Sequence, residues 1–134
     1  MATAMQMVHD REPKMVIMDD VGPFLKDVQP LGTGVLLAVY VRPEVTKSGI
    51  YLPQNKGPML EDNAQGKVGL VLALGEMAFT EDAQHRWGGV TPKVGDWVVI
   101  RVGDTFPFEL GPRRCRVVED VDIKVILQRP DIVW

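Results

Sequence analysis

The sequence predicts an all-β fold, a small barrel or sandwich, on three observations. Its apolar residues come in short β-branched runs, and no window keeps them at helical i, i+3, i+4, i+7 spacing for three turns. Thirteen glycines and ten prolines break the chain at short intervals. With 134 residues, 46% hydrophobic and 25% charged, the chain is one domain's worth of sequence with one modest core.

The elements follow in order. Residues 1–28 read as an N-terminal arm, methionine-rich and slightly acidic, ahead of a barrel domain at 29–134. Within the arm Val16-Ile17-Met18 is expected to form a short strand, broken by Val21-Gly22-Pro23. Strands are expected at 35–41, 67–74, 97–102, 115–118 and 123–127. Turn signals separate them: Lys93-Val94-Gly95-Asp96 before Trp97, Val102-Gly103-Asp104 after Arg101, and Leu110-Gly111-Pro112 before Arg113-Arg114. Short strands at this spacing point to a small barrel or sandwich. Residues 75–92 read as a hairpin excursion or a second loop.

Composition excludes several classes of function. A net charge of −3 argues against a dedicated nucleic-acid binder, which carries a basic face. A single cysteine, Cys115, rules out an internal disulfide scaffold. His9 and His85 stand far apart, and there is no HExxH or CxxC spacing, so no metal site is expected. The first residues lack the basic start and the apolar run of about 7–15 residues of a secretory signal. The longest apolar stretch, 35–41, is only a strand long, so no membrane helix is expected. The expectation is a soluble cytoplasmic protein.

No constellation of catalytic groups emerges. Cys115 in an apolar strand context reads as a small buried hydrophobe, not a nucleophile, and His85 has no triad pattern around it. Arg113, Arg114 and Arg116 beside Glu119, Asp120 and Asp122 read as a solvated, self-compensating face. Carboxylates of the adjacent pairs Asp19-Asp20 and Glu81-Asp82 diverge in an extended chain. Neither Gly32-Thr33-Gly34 nor Gly88-Gly89 is followed by the Gly-Lys-Ser/Thr of a phosphate loop. No enzymatic activity and no cofactor are expected.

Residues 42–65 carry the most informative feature. Three prolines and two glycines make this a long connection, and long connections inside compact domains tend to be functional. In its middle Ile50-Tyr51-Leu52 forms an apolar island. Thr46-Lys47-Ser48-Gly49 precede it and Pro53-Gln54-Asn55-Lys56-Gly57 follow. These residues by themselves fit a core strand and a tethered binding arm equally well.

Five blocks in order resemble a GroES-type co-chaperonin of the chaperonin-10 family. Pro30-Leu31-Gly32-Thr33-Gly34-Val35-Leu36-Leu37 is similar to the family's opening strand. Glu44-Val45-Thr46-Lys47-Ser48-Gly49-Ile50-Tyr51-Leu52-Pro53 is similar to its mobile loop. Gly66-Lys67-Val68 with Ala73-Leu74-Gly75, then Lys93-Val94-Gly95-Asp96-Trp97-Val98-Val99, then Glu119-Asp120-Val121-Asp122-Ile123 follow with family-like spacing. Thr33-Gly34 depart from the usual Asp-Arg, Tyr51 stands at an aliphatic position, and the arm has no family counterpart. Such divergence resembles co-chaperonins encoded by bacteriophages, which would place the protein in the host cytoplasm.

The resemblance implies a GroES-like barrel that forms a ring, a heptamer in the family, and caps a GroEL-type chaperonin around a non-native client protein. It implies Ile50, Tyr51 and Leu52 as the chaperonin-binding tripeptide. Thr46, Lys47, Ser48, Gly49 and Pro53 would be its hinge and flanks. It also implies pairing of the first strand with a neighbour's last strand, through Val35, Leu37, Val39, Ile123, Val125 and Leu127. Neither nucleic acid nor membrane is among the implied partners. The alternative is a virion or other assembly protein that reuses the barrel, with the arm tying neighbours together.

Overall fold

A computed structural model describes residues 12–41, 66–80 and 87–132. They form six strands in one antiparallel sheet and one helix. The elements are α1 (Pro13–Leu25), β1 (Gly34–Val39), β2 (Val68–Leu74), β3 (Trp97–Val99), β4 (Phe106–Leu110), β5 (Arg113–Glu119) and β6 (Val125–Leu127), with three short 3-10 turns. The sheet order is β4-β5-β1-β2-β3-β6, so the sheet is not closed, and β4 and β6 are its edges. The expected all-β class holds, and a strand falls at each expected position in the barrel: β1, β2, β3 and β6 are shorter than expected and β5 is longer at both ends.

Strand β1 explains the layout. All six of its residues are buried. A strand that is apolar on both faces needs cover on both. On one face Leu36, Ala38 and Tyr40 join Leu70, Leu72, Trp97 and Cys115, with Ile17 and Val21 of α1 laid over them. On the other, Val35 and Leu37 join Val71, Val98, Ile100, Val118 and Ile123, covered by Ala78 and Phe79.

The strand expected at Val16-Ile17-Met18 is instead part of α1. Pro13 occupies its first turn, where a missing N–H costs nothing. Ile17 and Val21, one turn apart, are the helix's buried residues. A stripe this narrow, with Gly22 and Pro23 near its end, gives little helical periodicity, and docking on the sheet supplies what propensity does not. The Asp20 carboxylate, on this helix, pairs with Arg113 at 2.9 Å.

Strand β4 was not expected either. It contains Pro107, which an edge strand tolerates because one side of its backbone needs no ladder partner. Gly111-Pro112 connect it to β5 as a two-residue turn, with Leu110 opposite Arg113.

Two of the sequence blocks have a direct backbone cause. Gly75 donates its N–H to the Gly34 carbonyl at 2.8 Å, and a Cβ there would lie 2.3 Å from the Gly32 carbonyl oxygen. Gly95, at φ +96°, turns the chain into β3 in the left-handed region. The Asp96 side chain accepts the Lys93 N–H at 2.9 Å and closes that turn.

Cys115 lies in the core with no solvent exposure, and burial pushes its thiol up to about 11. It should therefore resist alkylation at pH 8 while folded and react once denatured. Because the folded value lies above the ordinary 9.0, its contribution to stability is complete below about pH 9 and is lost as pH rises toward 11. Gly75→Ala should cost about 1–3 kcal/mol in urea unfolding, since backbone oxygens cannot give way to the new methyl group. Removing residues 1–28 uncovers the face under Ile17 and Val21. The truncated chain should lose on the order of 3–6 kcal/mol, and an unchanged unfolding midpoint would show that α1 is no part of the core.

Candidate partner-binding site

Thr46, Lys47, Ser48, Gly49, Ile50, Tyr51, Leu52 and Pro53 lie outside the described residues. The root from which they extend does not. The chain leaves β1 through Tyr40 and Val41 and returns through Gly66 and Lys67 into β2, the antiparallel neighbour of β1. The Tyr40 N–H donates to the Val68 carbonyl at 3.0 Å, and the Ile100 N–H to the Lys67 carbonyl at 2.7 Å. Tyr40 also sets its ring edge-on to Trp97, 5.6 Å between centroids. Both ends of the excursion are thus fixed on one rigid sheet.

The expected subunit-contact residues divide. Val35, Leu37 and Val39 are interior: β1 pairs with β2 on one side and β5 on the other, so it has no free edge to offer a neighbour. The physical reason is that β5, whose pairing the sequence did not reveal, occupies the side the resemblance left open. Ile123 is buried as well. Val125 and Leu127 do lie on an edge strand. β6 pairs with β3 on one side, and among the described residues nothing pairs with the other. Val125 and Ile126 are exposed there, while Leu127 packs toward the core.

Beside β6 the structure has a cleft that sequence reasoning missed. Its volume is about 780 Å³, and Trp87, Val90, Pro92, Val121, Ile123 and Lys124 line it with Val125 and Ile126. Val90, Val121, Val125 and Ile126 are among the exposed large hydrophobic residues of the chain. An apolar patch gathered in a concavity marks an interaction surface. The cleft joins residues 87–92 to the turn after β5, and the only hint in the sequence was the apolar Trp87 and Val90 within a supposed loop. Leu31, 83% exposed just ahead of β1, is another apolar residue without cover.

The cleft's wall is anchored by carboxylates. Phe79 sits at φ +58°, costly for a residue with a side chain, and its N–H donates 2.9 Å to Oδ2 of the buried Asp120. Phe79 in turn meets Trp87 edge-on at 4.9 Å. The hydroxyl of Thr33 donates to Glu119, so the unusual Thr33 ties the start of β1 to the end of β5.

The arginines are not the self-compensating face expected. Glu119 and Asp120 are engaged as above, and Arg114 pairs with Glu109 at 2.9 Å. Arg116 is buried and donates to Thr105 at 3.1 Å. Burial first, then the nearby Arg114, lowers its pKa. Among the described residues no group of three or more His, Cys, Asp or Glu could hold a metal, and no helix is long and apolar enough to cross a membrane.

The described residues thus form an open sheet with an apolar cleft along one edge, and residues 42–65 connect two of its adjacent strands, β1 and β2. Comparison with curated proteins finds no match. Comparison with protein families finds one that spans residues 27–127, from the end of α1 through β6, described as the chaperonin 10 Kd subunit. The match covers most of the chain, and the chain therefore belongs to the chaperonin 10 kDa subunit family of co-chaperonins.

Proposed function

We propose that this protein is a ring-forming lid for a GroEL-type chaperonin, and that it docks through Ile50, Tyr51 and Leu52. The observation that carries this is the family match over 27–127, which encloses the block Glu44 to Pro53. Family membership implies a chaperonin partner and an oligomer. In our proposal that oligomer is a heptameric ring that caps the chaperonin.

The energetics fit a multivalent grip. In an extended segment Ile50 and Leu52 share one face, so both enter one groove. Burying each is worth roughly 1.5–3 kcal/mol. Ordering each loop residue costs on the order of 1–2 kcal/mol. One arm therefore binds weakly. Several arms on one ring bind well, because each later contact is effectively intramolecular. A grip assembled this way releases when the partner changes state. The protein's role is binding, not catalysis: it encloses the client and leaves ATP to the chaperonin.

Two described features support an assembled ring. The outer edge of β6 is unpaired among the described residues, and such edges invite another strand. Val125 and Ile126 on β6, and Leu31 ahead of β1, are exposed apolar side chains that a neighbour would cover. With β1 interior, the ring contact of this reading falls on β6 and on the residues just before β1.

The test mixes the purified protein with a GroEL-type chaperonin and ATP and looks for capped particles by sedimentation and electron microscopy. Capping is expected for the wild type. The double variant Ile50→Ser, Leu52→Ser should lose it while sedimenting as the same ring. Failure of the wild type to associate, or its stoichiometric copurification with virus particles, overturns this reading.

A further inference from the structure

Helix α1 ends before the family match begins, so it is an addition to the family's frame. It reaches the root of the 42–65 excursion by two routes. One is polar. Arg113 Nη2 and Nε donate to Asp20 Oδ2 at 2.9 and 3.2 Å, and the same guanidinium donates through Nη1 to the Val39 carbonyl at 3.3 Å. The β1–β5 ladder runs only as far as Ala38 opposite Cys115. At the next residue an arginine side chain, held by the helix, takes over the ladder's work. The other route is apolar. Ile17 and Val21 belong to the same buried cluster as Tyr40, Val68 and Trp97. Tyr40 and Val68 are the residues whose backbone bond closes the root.

We propose that α1 is a brace for this root, with Asp20 and Arg113 as positioning residues that set how the excursion leaves the sheet and hence how well it captures its partner. The partner half of this inference rests on the co-chaperonin reading above; the brace itself does not. Arg113 is the hub because a planar guanidinium can serve a carboxylate and a carbonyl at once, which a lysine ammonium does less well. Asp20 is the element that can be tested safely. Its side chain is 34% exposed, against 13% for Arg113, so Asp20→Asn should fold. That change keeps the shape and removes the charge that holds the guanidinium.

The experiment uses the full chain and reads amide hydrogen exchange at Tyr40 and Leu37, together with the dissociation constant for a GroEL-type chaperonin in ATP. In Asp20→Asn the Tyr40 amide should exchange about three- to tenfold faster, while Leu37 in the middle of β1 stays unchanged, because only the local opening is eased. Capture should weaken by about threefold or more in the same variant, and Asp20→Glu, which keeps the charge, should recover part of both effects. Equal acceleration at Tyr40 and Leu37 would reduce the pair to general stability and overturn the brace. So would an unchanged Tyr40. Faster exchange at Tyr40 with unaltered capture overturns the positioning role. A wild-type chain that binds no chaperonin overturns the partner reading, and the Tyr40 measurement still decides the brace.

Discussion

A strand that is apolar on both faces governs this structure. Gly34–Val39 buries every residue, and a single sheet leaves such a strand half in water. The sheet here stays open, so each face of β1 needs its own cover. Helix α1 provides one through Ile17 and Val21. The turn at 76–80 provides the other through Ala78 and Phe79. Each cover is short and would be weakly held by apolar contact alone. Each is also fastened by a carboxylate: Asp20 to Arg113 for the helix, Asp120 to the Phe79 backbone for the turn.

Those fasteners bear on function because of where they sit. The Asp120 bond fixes the wall of the apolar cleft beside β6, and the Asp20 pair ends at the Val39 carbonyl, at the end of β1. If the protein is the multivalent lid proposed above, the roots of its arms must be fixed, since root motion would spread the arms over more positions and lower the effective concentration on which avidity depends. The buried sheet supplies that fixity at Tyr40 and Val68, and Asp120 holds the wall of the apolar cleft.

Much of the barrel was legible because its signals are local. Continuous apolar runs marked β1 and β2, and Lys93-Val94-Gly95-Asp96 marked the turn into β3, since a left-handed backbone and a side chain that caps its own turn leave a signature over four residues. Gly75 was legible as part of a block, though its reason, two carbonyl oxygens where a methyl group would go, is a tertiary fact. Helix α1 was not legible. Its buried stripe is two residues wide, and Pro23 reads as a break unless the helix is already docked. Strand β4 hid behind Pro107. The arginines were misassigned because charge partners adjacent in sequence are not those adjacent in the fold: Arg113 finds Asp20 of α1, 93 residues away. Of the candidate site, the apolar tripeptide was visible as a pattern, whereas the cleft, assembled from segments around residues 90 and 125, has no signature in any single stretch.

The central position of β1 also changes how a ring can be built. An edge strand can be shared between subunits at little cost, because one side of its backbone is unsatisfied until a partner arrives. A central strand cannot be shared without breaking a ladder already made. On the ring reading proposed above, with β2 and β5 on either side of β1, association would fall to β6, where Val125 and Ile126 face outward, and to the residues leading into β1, where Leu31 does. Exposed apolar side chains on a short open edge are an aggregation hazard in a monomer and an asset in a closed assembly. Three residues of β6 are too few to hold two subunits by backbone bonds alone. In that reading the cleft next to it would add the apolar area that such a short strand lacks.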